Sequence, residues 1–82
     1  MYAQNGVIRT FYPDGTPRTA ITYVSDVLDG SAFWYYPNGN IETEKYFSNG
    51  ILNGAVKEFY QSGLIKIEYT VVNGDLRDHQ GQ

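Results

Sequence analysis

Apolar and polar residues alternate through most of this chain in runs of six to eight residues, and the runs are separated by glycine-bearing turns. A period of two marks a strand that is half-buried on a sheet. The runs predict six strands: Val7–Tyr12, Pro17–Val24, Ser31–Tyr36, Ile41–Phe47, Ala55–Tyr60 and Ile65–Val72. They are rich in Tyr, Phe, Ile, Val and Thr, the residues that fit a pleated surface. Five glycines follow Asn (Gly6, Gly39, Gly50, Gly54, Gly74) and two follow Asp (Gly15, Gly30). Such pairs between apolar runs signal hairpins, because both residues tolerate positive φ. No stretch carries a helical stripe with caps. Alternation puts Ile8, Ala32 and Val56 on one face with Trp34 and with Tyr12, Tyr36 and Tyr60. Phe11, Tyr35 and Phe59 then share the other face with Arg9, Phe33 and Lys57.

The pattern repeats every 24 residues without insertion or deletion. Gly6, Gly30 and Gly54 coincide, as do Tyr12, Tyr36 and Tyr60, then Gly15, Gly39 and Gly63, then Leu28, Leu52 and Leu76. A period in this range is the signature of a repeat architecture. The expected fold is all-β: a single-layer, twisted antiparallel meander of three 24-residue β-hairpin repeats. The array occupies residues 1–76, with repeats at 6–29, 30–53 and 54–77. Residues 77–82 are expected to be a frayed tail or the start of a truncated fourth repeat.

The order Gly-x-x-x-x-Tyr/Phe-Tyr-x-x-Gly, then about ten residues, then Asn-Gly-x-Leu-x-Gly resembles the MORN variant repeat of bacterial proteins. It stands here as Gly30 to Gly39 with Asn49-Gly50-Ile51-Leu52-Asn53-Gly54, and again from Gly54 to Leu76. The first copy runs from Gly6 to Gly15 and closes with Ser25-Asp26-Val27-Leu28-Asp29-Gly30, where Asp26 replaces the usual glycine. Arrays of this kind are similar to YwqK-type, antitoxin-like proteins. The resemblance implies a non-catalytic, protein-binding role of antitoxin or immunity type, with a toxin-like partner.

Composition and charge narrow the alternatives. A net charge of −3 argues against a nucleic-acid footprint, which needs a basic face. The absence of Cys removes disulfides and thiolate metal sites. No apolar run approaches the roughly 20 residues of a membrane-spanning helix. No signal peptide opens the chain, so the bacterial cytoplasm and the cell envelope both stay open as compartments. With 82 residues and no helix to cover either face, the sheet can bury little. Self-association through its open edges is therefore a second expectation.

Enzyme chemistry finds no footing. Glu42 and Glu44 are two apart on one strand, but paired catalytic carboxylates need a cleft and distinct environments. Asp26 with Asp29, and Asp75 with Asp78, read as polar turns; calcium requires six or more oxygens on an organised loop. His79 is a lone imidazole in the tail. No catalytic residue, metal ligand or cofactor is assigned. The expected binding residues are aromatic. Trp34 stands where the other repeats have Thr10 and Glu58, Phe33 where they have Arg9 and Lys57, and Tyr46 where they have Thr22 and Thr70. A costly ring that the repeat does not require points to a partner. Trp34, Phe33 and Tyr46, with the neighbouring Tyr35, are the predicted partner-binding residues. Carbohydrate is the alternative ligand, because Trp34-Tyr35-Tyr36 is similar to the hairpin repeats of cell-wall-binding proteins. A structural slice of a longer array is the third reading.

Overall fold

A computed structural model describes residues 3–77, and these form one antiparallel sheet and no helix. The strands are β1 (Gly6–Phe11), β2 (Pro17–Val24), β3 (Val27–Tyr35), β4 (Ile41–Ser48), β5 (Ile51–Leu52), β6 (Gly54–Phe59), β7 (Ile65–Val72) and β8 (Asp75–Arg77). Their order across the sheet follows the chain, with β5 and β6 both pairing β4. The all-β reading and the three hairpin repeats are thus met. The molecule measures 44 × 34 × 11 Å, the thickness of one layer.

Two kinds of turn alternate along the two rims. On one rim Tyr12 N donates to Thr16 O (2.8 Å) and Gly15 N to Tyr12 O (2.9 Å). The same pair of bonds recurs at Tyr36 and Tyr60. The second residue of each loop accepts from the backbone two positions on: Asp14 from Thr16 (2.9 Å), Asn38 from Asn40 (2.9 Å) and Ser62 from Leu64 (3.4 Å). These are Asx and Ser turns. A register shift follows each loop, between Thr10 and Phe11, Trp34 and Tyr35, and Glu58 and Phe59. It leaves Arg18, Glu42 and Lys66 as the extra residues of three equivalent bulges.

The other rim carries type I′ turns at Ser25-Asp26, Asn49-Gly50 and Asn73-Gly74, with both central residues at positive φ. Asp26 takes the glycine position at φ 70°, so its departure from the repeat leaves the turn intact. Each turn donates to the segment just ahead of its own repeat, or near the end of the previous one: Asp26 N to Gln4 O (3.0 Å), Gly50 N to Leu28 O (2.7 Å) and Gly74 N to Leu52 O (2.8 Å).

Two expectations are corrected. Strands were expected to begin at Ser31 and Ala55; they begin at Val27, and at Ile51 with a break at Asn53. The cause is a bulge rather than a turn at the repeat boundary. Tyr23 pairs with Leu28 and Ile21 with Ala32, so Asp29 and Gly30 are carried as excess within the strand. Gly30 sits at φ 120°, and a Cβ there would meet Thr22 Cγ2 at 3.1 Å. The second correction concerns Arg77: of the two readings of residues 77–82, a frayed tail or the start of a truncated fourth repeat, the frayed one does not hold at Arg77, which closes β8 opposite Thr70. The rest of that tail, with Asp78 and His79, lies outside the described residues.

Among the described residues the buried apolar side chains are Ala20, Ala32, Val56 and Val71. Ala32 and Val56 occupy one repeat position and are 0% exposed. Ile8, their counterpart, is half-buried, since β1 has a neighbour on one side only. Ala32 lies on one face and Ala20 on the other, and the described residues place no second layer over either.

Candidate functional site

The middle repeat, β3 and β4, holds all four rings of interest. Cross-strand partners share a face. Trp34 lies between Thr19 and Thr43, on the face that also carries Ile21, Ala32 and Lys45. Phe33 lies between Ala20 and Glu44 on the opposite face, and Tyr46 pairs with Ser31 there. Tyr35 joins Phe33: their ring centroids are 6.4 Å apart, tilted by 32°. That is within the range in which ring pairs attract. The structure therefore divides the predicted residues into Trp34 on one face and Phe33, Tyr35 and Tyr46 on the other.

Each ring has a charged companion or a backbone tie. The Lys45 ammonium stands 5.5 Å from the centroid of Trp34. Such a contact contributes about 0.5–1 kcal/mol when exposed and more when dry. Trp34 itself is half-buried. Tyr46 is 36% exposed, and its hydroxyl donates to Glu44 Oε2 at 3.1 Å. That bond, with burial and the nearby negative charge, raises the Tyr46 phenol above its ordinary value. The base of its ring packs on Gly54, where an added Cβ would lie 3.3 Å from Tyr46 Cβ. The Tyr35 carbonyl accepts from Tyr12 Oη at 2.5 Å. One repeat later Tyr36 Oη donates to Phe59 O at 2.6 Å. These hydroxyls stitch the first repeat to the second and the second to the third along the rim, which accounts for Tyr12 and Tyr36.

A scan against family models matches three consecutive segments, residues 4–25, 28–50 and 52–73, to the MORN repeat variant. The chain belongs to the MORN repeat variant family. The matched segments start two residues ahead of Gly6, Gly30 and Gly54, and so take in the Leu28 and Leu52 that the structure places inside strands. No curated protein and no solved structure matches the chain. MORN repeats are generally interaction modules and not catalysts.

Sequence reasoning missed two members of the site, Lys45 and Glu44. Lys45 stands where the other repeats have Ile21 and Tyr69, so a charge at an apolar repeat position was the available signal. Glu44 was weighed only as an acid; its bond to Tyr46 depends on both being on one face, two residues apart. Glu42 and Glu44 face no enclosed space on an 11 Å layer. Among the described residues no group of three His, Cys, Asp or Glu is placed to hold a metal ion. No helix there is long and apolar enough to cross a membrane.

Proposed function

We propose that this MORN repeat sheet is a non-catalytic module that binds a protein through the β3–β4 strip, with Trp34 as the central contact. One observation carries the reading: the rings that differ between repeats stay partly exposed on a single-layer sheet, each beside a charged side chain. Large rings next to polar groups are what protein interfaces use as anchors. The sharper form, neutralisation of a toxin-like protein, rests on the resemblance to antitoxin-like arrays. Carbohydrate stacking is less well served, because the Lys45 ammonium already occupies a position over the Trp34 ring.

The test is a calorimetric titration of the wild-type chain and of Trp34→Ala against the products of adjacent genes. Trp34→Ala is expected to weaken binding at least about tenfold, while melting falls by only a few degrees. Unchanged affinity in Trp34→Ala, or a variant that does not fold, overturns the assignment.

A further inference from the structure

The three repeats can be compared as internal copies of one design. In the first, the Arg18 guanidinium stands over the Tyr12 ring, 5.9 Å from its centroid. In the third, the Lys66 ammonium stands over Tyr60, also at 5.9 Å. Arg18 and Lys66 occupy the same bulge position after the same loop. The middle repeat keeps the loop, the bulge and the ring. Tyr36 N donates to Asn40 O at 2.8 Å, and Tyr36 Oη donates to Phe59 O at 2.6 Å. The cation, however, is replaced by Glu42, which is exposed. The ring remains half-buried, and the equivalent bulge position carries the opposite charge.

We infer that the Tyr36 ring and the Glu42 carboxylate form a receptor for an arginine side chain presented by a protein partner. This rests on the protein-binding reading above and names a chemical feature of that partner. The argument is one of complementarity. An aromatic face attracts a cation, and the site that holds one in both neighbouring repeats has an acceptor here instead. A guanidinium satisfies both groups at once, stacking on the ring while its fork donates to the carboxylate. An ammonium is a point charge that serves one of them at a time. The loop is also held in place. Asn38 Nδ2 and Asn40 Nδ2 both donate to Gln61 O, at 3.0 and 2.8 Å, tying the middle loop to the next one. A fixed receptor loses less entropy on binding. Arg18 and Lys66 lie two strands away on either side, roughly 10 Å by strand spacing. That is about one Debye length at 0.1 M salt, so screening cuts their repulsion of a guest cation to roughly a third.

The experiment uses the full chain with 13C-labelled tyrosine rings and 15N backbone, titrated with acetyl-Gly-Arg-Gly-amide. The control peptide carries citrulline, the neutral isostere, in place of arginine. The Tyr36 ring and Glu42 amide signals should shift saturably, with Tyr12 and Tyr60 nearly still, and citrulline should bind roughly tenfold more weakly or worse. Glu42→Lys should remove the Tyr36 response while keeping the fold, since it restores the cation of the other repeats. Glu42→Gln keeps the shape without the charge and should lose most of the response, which covers the case of a Lys variant that fails to fold. The receptor is overturned if Tyr36 responds no more than Tyr12 and Tyr60, or if Glu42→Gln and Glu42→Lys respond like wild type. A silent Tyr36 alongside a protein partner still lost on Trp34→Ala would refute this receptor and leave the binding reading standing.

Discussion

Replacing Gly30 by alanine should be among the most damaging single-methyl additions to this sheet. Two penalties act together. Gly30 holds φ at 120°, far outside the left-handed basin near +57° that L residues can visit. Forcing a side chain there costs about 1–3 kcal/mol. The new Cβ would also lie 3.1 Å from Thr22 Cγ2 and 3.2 Å from Thr22 Cβ. Thr22 Cβ is fixed to the paired strand and cannot swing aside, so overpacking adds about 1–3 kcal/mol. The sum, about 2–6 kcal/mol, is a large share of the roughly 4–12 kcal/mol expected of a domain this size. Gly39→Ala is the matched control: φ is 93°, and nothing lies within 4 Å of its added Cβ. It bears the backbone strain alone. In thermal denaturation followed by circular dichroism, each kcal/mol shifts the midpoint by about 4–8 °C. The steric term separates the two variants, so Gly30→Ala should melt about 4–24 °C below Gly39→Ala. Adding Thr22→Ser, which deletes Cγ2 and keeps a hydroxyl for Ser31, should recover part of the loss in Gly30→Ala and none in Gly39→Ala. Equal midpoints for the two alanine variants, or no recovery with Thr22→Ser, would refute the reasoning.

Three further outcomes are expected. Tyr36→Phe should lower stability by about 1–2 kcal/mol in urea unfolding, since the Phe59 carbonyl loses its donor; Tyr60→Phe, at a ring 52% exposed, should cost less than about 0.5 kcal/mol. The Thr16 side chain and backbone amide hold the Asp14 carboxyl below its ordinary value, so its contribution is present above the unfolded pKa and is lost as pH falls through the folded one. Asp14→Asn keeps the turn, as Asn38 does in the middle repeat, and should show a shallower loss of melting temperature below about pH 4 than wild type. Tyr46 should titrate above its ordinary value in a ring-carbon NMR titration and move back down in Glu44→Ala; an unchanged midpoint would remove Glu44 as the cause.

The strands and Tyr-rim loops were legible because their signals are local. Alternation, Pro-Asp-Gly and Pro-Asn-Gly announce themselves within a few residues, and β2 and β7 have the expected bounds. The repeat boundary was not, because Asp29-Gly30 and Asn53-Gly54 read as turns when the first lies in a bulged strand and the second at the short break between β5 and β6. A glycine at positive φ looks the same in sequence whether it reverses the chain or lets a facing side chain come close. The repeated Leu28, Leu52 and Leu76 were the clue, since all three lie within strands and the first two are half-buried. The aromatic candidates were visible as departures from the repeat, but their companions were not. Lys45 over Trp34 and Glu44 under Tyr46 follow from which side chains share a face after the bulges have shifted the pairing.

Because the layer is one sheet thick and its order follows the chain, every strand touches only the units beside it in sequence. Contact order is therefore low for a β protein, and zipping can start at any hairpin and spread outward without closing a long loop. Cooperativity is then carried by links between neighbours: the tyrosine stitches on one rim and the turn-to-leucine bonds on the other. Amide hydrogen exchange should report this as a gradient, slowest in β3 and β4, which have partners on both sides, and faster toward β1 and β8. A chain linked this way can gain or lose a whole unit while each remaining link keeps its geometry.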